Sequence, residues 1–169
     1  MVATIAVSEA ASGNNNALTL TEQQIDHLEK ETLRLAALQT EDISYGTDNG
    51  ASVSYLNHKG AFYCRLKVGL SNRNWIKEYF VLNGRLLKVR CSDERYEHNE
   101  DGTLNPNAIS RENSVQYSVY FVGLKVAPSS GPGGRWEKPA KYPDEARILE
   151  AYIESRDFAG IVDMLTGEQ

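Results

Sequence analysis

The chain has 169 residues, of which 41% are hydrophobic and 24% are charged, and its formal net charge is −5. This length is enough for one domain with a buried core, and the proportions are those of a soluble globular protein. The acidic balance argues against binding of nucleic acid or anionic lipid by the whole surface. No apolar run is long enough to cross a membrane, and two cysteines are too few for a disulfide scaffold. We therefore expect a cytoplasmic protein that does not bind membranes.

The positive charge is concentrated in the middle of the chain. Between Lys59 and Arg90, eight basic residues accompany a single acid, Glu78, so that stretch carries +7 and the rest of the chain −12. Such a separation indicates either a basic binding face or a sheet whose charges are complemented by acidic helices.

The first part of the chain is predicted to be a flexible arm followed by a helix. Residues 1–18 contain a small, polar run that cannot bury enough apolar surface to become ordered. A helix is expected from about Glu22 to Gln39, because Thr21 and Gln24 fit a capping box. Its apolar residues recur at helical spacing and predict one buried stripe, formed by Ile25, Leu28, Leu35 and Leu38.

The central part is predicted to be an antiparallel meander. The segment Tyr79–Val89 is echoed by Tyr120–Val126, since both contain Tyr-Phe-Val, a glycine and Leu-Lys-Val, which is typical of β-hairpins. Asn83-Gly84 favours a type I′ turn, because both residues tolerate positive φ. The expected strands are Ser52–Leu56, Ala61–Val68, Trp75–Leu82, Arg85–Cys91 and Val115–Val126, the last with a bend or bulge at Gly123.

The remaining segments complete the expected domain, residues 19–169. Residues 92–114 are polar and rich in turn-forming residues, which predicts a long surface loop, and residues 128–134 have the composition of a linker. Residues 143–166 are predicted to be helical with a break near 155–157. The fold class is therefore α+β: one antiparallel meander of about five or six strands, with the N-terminal helix and the C-terminal helices packed on one face.

No motif indicates catalysis, a metal or a cofactor. Glu97, Asn99, Asp101 and Gly102 match the start of a calcium loop, but Ala108 occupies the position of the bidentate glutamate. Histidine and cysteine spacings fit no zinc site, and no nucleophile motif is present. We expect no metal, no cofactor and no catalytic residue.

The candidate site is a face of the sheet on which aromatic and basic side chains alternate. If Ile76, Phe80 and Leu82 point to the core, the intervening residues point away from it. Aromatic rings beside cations suit an acidic protein partner, and they also suit stacking on bases and pairing with phosphates. The candidate binding residues are Tyr63, Arg65, Lys67, Trp75, Lys77, Tyr79, Lys88 and Arg90.

Part of the chain resembles the opening strands of a pleckstrin-homology domain. Lys59-Gly60 and Trp75–Leu82, followed by Leu86, carry this resemblance over about thirty residues, whereas Arg147–Leu165 lacks the tryptophan usual in that family's closing helix. The resemblance implies a phosphoinositide site, for which Lys67, Arg73 and Lys77 are the rough equivalents.

These observations favour a non-catalytic protein-interaction module of the inhibitor, immunity or adaptor type, which uses the basic, aromatic face. Single-stranded nucleic acid or another polyanion bound by the same face is one alternative. An enzyme or a small-molecule pocket between the sheet and the helices is another. Charge reversal at Lys77 and Lys88 is expected to weaken partner capture without lowering the melting temperature.

Overall fold

The computed structural model describes residues 20–43, 49–122, 125–128 and 141–166. The predicted arm, residues 1–18, and nearly all of the predicted linker lie outside this range. The described elements, in chain order, are α1 (Glu22–Leu35), β1 (Gln39–Ile43), β2 (Ala51–His58), β3 (Ala61–Leu70), β4 (Arg73–Leu82), β5 (Arg85–His98), β6 (Leu104–Ile109), β7 (Val115–Val122), β8 (Lys125–Pro128), α2 (Tyr142–Ser155) and α3 (Phe158–Thr166).

The strands form one antiparallel sheet that curls into a half-barrel. Seven of the eight described strands lie in the order β1-β2-β3-β4-β5-β7-β8, and β6 pairs with the outer part of β5. The predicted α+β class is confirmed, as are the meander, the N-terminal helix and the C-terminal helices.

The expected loop at residues 92–114 is largely β-structure. β5 continues to His98, and β6 pairs with it across a turn at residues 99–103. β1 was also missed. The side chains of this extension and of β6 are mostly exposed or half-buried, so these strands show no alternation of apolar and polar residues from which they could be recognised.

Two neighbouring turns close the β2–β3 and β4–β5 hairpins. Asn83 and Gly84 have φ of 50° and 72°, which confirms the predicted type I′ turn. Lys59 and Gly60 have φ of 49° and 78°, so the same kind of turn was missed there. The amide of Asn83 donates to the carbonyl of Gly60 at 2.7 Å. A Cβ atom on Gly60 would lie 2.4 Å from Asn83 Oδ1, which is a side-chain atom that can move, so the φ of 78° is the feature that favours glycine here.

The helices cover opposite faces of the sheet, whereas the sequence predicted one covered face. Leu20, Ile25 and Leu28 pack α1 and the residues before it against a small cluster formed by Ala61, Phe80, Leu82, Leu87 and Tyr120. α2 and α3 contribute Tyr142, Leu149 and Ile161 to the larger core on the other side. Adjacent residues of a strand point to opposite faces, and in β4 both rows carry aromatic side chains, so both faces can be buried.

The helix ends show where the sequence patterns hold. The capping box of Thr21 and Gln24 is present in α1. The apolar stripe of α1 is buried only in its first half, since the helix ends at Leu35, which is 65% exposed, and Leu38 is 41% exposed. The predicted break is confirmed at Arg156, which has φ of 58° and caps α2.

Candidate binding surface

The eight candidate residues are divided between the two faces of the sheet. Residues paired across antiparallel strands share a face, and Tyr63 lies opposite Phe80 while Arg65 lies opposite Glu78. Tyr63, Arg65, Lys67, Lys88 and Arg90 therefore share the face that carries α1, and Trp75, Lys77 and Tyr79 point to the face that carries α2. The structure does not bring the eight residues together.

Lys77 lies beneath α2 and is only 1% exposed. Its Nζ atom is 3.6 Å from Glu145 Oε2 and lies 4.8 Å from the ring centroid of Trp75 and 5.6 Å from that of Tyr142. The hydroxyl of Tyr79 donates to the same Glu145 oxygen at 2.5 Å. These contacts fix α2 on the sheet, so Lys77 and Tyr79 have a structural role.

An ion-pair network with a buried centre at Glu29 and Lys88 fixes α1 on the other face, and we define it as Asp26, Glu29, Glu78, Lys88 and Arg90. Lys88 Nζ lies 2.7 Å from Asp26 Oδ1 and 2.6 Å from Glu29 Oε2. Arg90 lies 3.1 Å from Glu29 Oε2 and 3.2 Å from Glu78 Oε2. The charges of Lys88 and Arg90 are thus compensated within the protein.

Tyrosine hydroxyls complete the network. Tyr63 donates to Glu78 Oε1 at 2.5 Å, and Tyr120 donates to Asp26 Oδ1 at 2.9 Å. Both oxygens of Glu78 therefore accept a hydrogen bond or an ion pair. Burial, followed by the hydrogen bond to Asp26, raises the pKa of Tyr120 to about 12.

The buried tyrosines predict a loss of stability at alkaline pH. Burial is the main cause that raises the pKa of Tyr63 and of Tyr117. The Glu78 carboxylate raises the pKa of Tyr63 further, and the Cys91 sulfur raises that of Tyr117. Unfolded tyrosine has a pKa of about 10. Because the folded-state values are higher, the stabilisation is complete below about pH 10 and is lost as the pH rises through the folded-state values.

We therefore expect these tyrosines to ionise together with unfolding. Tyrosinate absorbance and circular dichroism, followed over the same alkaline titration, measure the two events. Ionisation of all tyrosines near pH 10, with the fold intact, would contradict the burial described here.

On the α1 face of the described sheet, one patch of β1, β2 and β3 carries charged side chains that remain accessible. We define the open patch as Thr40, Ser52, Ser54, Arg65 and Lys67, which the cross-strand register places on one face. Its β2 and β3 side chains are half-exposed, and Thr40 is exposed. Ser52 and Lys67 also line an open depression of about 360 Å³.

The open patch carries two cations that form no ion pair with the described residues. Within the described ranges, neither Arg65 nor Lys67 has an ion-pair partner within 4 Å. Arg65 lies opposite Glu78, but the oxygens of that carboxylate already accept from Tyr63 and Arg90. The hydroxyls of Thr40 and Ser54 lie 2.9 Å apart beside these cations, so the patch can bind an anionic group.

The basic set implied by the pleckstrin-homology resemblance is not assembled. Lys67 is on the α1 face, whereas Arg73 and Lys77 lie on the opposite face. Arg73 donates to Asp93 Oδ2 at 3.1 Å. These three residues cannot converge on one phosphate group.

Three further findings bear on function. Among the described residues, no group of three or more histidine, cysteine, aspartate or glutamate side chains is placed to hold a metal ion. None of the helices in the described ranges is long and apolar enough to cross a membrane. Comparison with protein-family models, curated proteins and solved structures found no match to this chain.

The sequence did not identify the acids that compensate the basic stretch. Asp26 and Glu29 come from α1, and Glu145 comes from α2. Of the two interpretations of the charge separation, a sheet complemented by acidic helices therefore describes three of the eight basic residues, namely Lys77, Lys88 and Arg90. The spacing of Asp26 and Glu29, one helical turn apart on an amphipathic helix, was the available signal.

Proposed function

We propose that the protein is a non-catalytic interaction module that binds a protein partner through the open patch. The observation that carries this proposal is the contrast among its cations. Lys77, Lys88 and Arg90 have ion-pair partners inside the fold, whereas Arg65 and Lys67 are half-exposed and have none within the described residues. Cations without an ion pair at a reachable surface support recognition of an oppositely charged partner.

The character of the open patch favours a protein over a polyanion. Stacking on bases needs exposed rings. On this face Tyr63 is 3% exposed and Tyr120 is 8% exposed, and Trp75 and Tyr79 point to the other face. Two cations would also neutralise only about two phosphates, too few for strong binding of nucleic acid by counterion release.

The packing of the other face disfavours the alternative of a small-molecule pocket. The space between the sheet and α2 and α3 is filled by large side chains, among them Tyr79, Tyr142, Leu149 and Ile161, each 0% exposed. A ligand there would have to displace this core, at a cost in packing. The arrangement therefore supports a binding surface, in preference to an enclosed site.

Capture from lysate of the source cells tests the proposal. The variant R65Q/K67Q removes both open charges, and R111Q/R147Q is the matched control because it removes two exposed charges elsewhere. We expect the first variant to lose at least tenfold of a specific protein that the wild type and the control retain. Equal retention of every captured protein by all three would contradict the proposal.

Charge reversal at Lys77 and Lys88, the test suggested by the sequence, is unsuitable for a structural reason. Lys77 and Lys88 are 1% and 3% exposed, so a carboxylate at either position would be buried beside Glu145 or Glu29. Charge reversal there is expected to destabilise the fold, and any loss of binding would not identify the surface. Arg65 and Lys67 are half-exposed and avoid this problem.

A further inference from the structure

We infer that the partner presents to the open patch an amphipathic helix whose carboxylates lie one turn apart. The inference rests on the proposed function, because it specifies the chemistry of the protein bound at Arg65 and Lys67. It depends on a precedent within the molecule, namely the way in which the same sheet face already binds α1.

The α1 helix shows how two cations of one strand bind a helix. Asp26 and Glu29 are three residues apart on α1, and Lys88 and Arg90 are two residues apart on β5. Lys88 contacts both carboxylates, at 2.7 Å and 2.6 Å, and Arg90 contacts Glu29 at 3.1 Å. A strand pair of basic residues at positions i and i+2 thus matches a helix pair of acids at i and i+3.

β3 repeats this arrangement of cations. Arg65 and Lys67 are also two residues apart and share the face of Lys88 and Arg90, and Arg65 lies in the same cross-strand row as Arg90, with Glu78 between them. Residues i and i+2 of a strand are roughly 7 Å apart. Helix residues at i and i+3 have Cβ atoms about 5–6 Å apart, within the reach of long basic side chains.

An exposed apolar side chain near the open patch indicates that the partner helix also has an apolar side. Leu38 is 41% exposed and precedes Thr40 of the patch by two residues. The chain leaves α1 at Ala36 in an extended conformation, so Leu38 is held outside the helix. A partner helix with an apolar residue beside its carboxylates would cover Leu38 and pair with the cations of β3.

An exposed acid beside the open patch opposes this binding. Asp42 is exposed and shares a cross-strand row with Ser52 and Lys67. Its charge repels an incoming carboxylate. Removing that charge is therefore expected to strengthen binding, and this sign distinguishes electrostatic recognition from general damage to the surface.

The experiment uses labelled alanine-based helical peptides and fluorescence anisotropy at low salt. One peptide carries two glutamates at i and i+3 beside a leucine, a second carries glutamines instead, and a third carries the glutamates at i and i+2, on different sides of the helix. We expect the first to bind the full chain at least tenfold more tightly than the others. R65Q/K67Q should lose that preference, R111Q/R147Q should keep it, and D42N should strengthen binding about twofold.

Three outcomes would overturn the inference. These are equal binding of the glutamate and glutamine peptides, equal binding of the two glutamate spacings, and retention of the preference by R65Q/K67Q. If such a result accompanies the loss of a captured protein by R65Q/K67Q, the proposed function stands and only the helical, acidic partner is excluded. If the capture is unchanged as well, both proposals fail.

Discussion

Replacement of Lys88 by methionine is expected to lower the free energy of unfolding by about 3 kcal/mol. Lys88 is 3% exposed and contacts Asp26 and Glu29. Without its ammonium group, Glu29 remains 5% exposed and retains Arg90. Removal of one member of a buried pair costs about 3–5 kcal/mol, and the remaining contact with Arg90 places the expected loss at the lower end of that range.

Urea denaturation, followed by circular dichroism, measures this loss, which corresponds to a decrease in melting temperature of about 6–12 °C. K30M is the matched control, because Lys30 is an exposed lysine next to Glu29 on α1, and it should change the free energy by less than about 0.5 kcal/mol. The double variant E29Q/K88M should recover part of the loss. A K88M protein as stable as K30M would show that the network does not fix α1.

Replacement of Glu145 by leucine is expected to destabilise the protein by about 3–4 kcal/mol. The substitution removes the carboxylate that lies 3.6 Å from Lys77 Nζ and accepts from the Tyr79 hydroxyl. Of the contacts described above, Lys77 then keeps those with the rings of Trp75 and Tyr142, which stabilise a desolvated cation by about 2 kcal/mol. The loss is smaller than for an isolated buried charge for that reason.

The neighbouring acid of α2 provides the control. Asp144 is exposed and lies 3.9 Å from Arg147, so D144A is expected to change stability by less than about 0.5 kcal/mol. K77M/E145L should be markedly more stable than E145L alone, because replacement of a whole buried ion pair by apolar residues is often neutral. If the double variant is no better than E145L, the destabilisation comes from packing and the ion pair is not its cause.

Local signals in the sequence predicted those parts of the fold that depend on near neighbours. The capping box at Thr21 fixed the start of α1, and Asn83-Gly84 predicted a turn that only residues tolerant of positive φ can make. The alternation in Ala61–Val68 identified the row of Phe62 and Cys64 that joins the larger core. β1 and β6 gave no such signal, because their exposed positions carry no apolar row.

The candidate surface could not be located in the same way, because alternation along a strand does not tell which face is covered. In β4 one row contains Trp75 and Tyr79 and the other contains Ile76 and Phe80, so both rows are compatible with a core. The sequence marked Arg65 and Lys67 as candidates. It could not separate them from Lys77, since the acids that compensate Lys77 and its neighbours are distant along the chain.

The opposite placement of the helices has a consequence for synthesis on the ribosome. All eight described strands precede α2, and Tyr79 bonds to Glu145 across 66 residues. While the chain is emerging, α1 can cover its own face of the sheet, but the face that α2 and α3 cover stays exposed to water until these two helices have left the ribosome. The nascent chain is therefore most vulnerable to aggregation after the strands have emerged and before α2 and α3 have, when chaperones that bind exposed apolar surface would protect it.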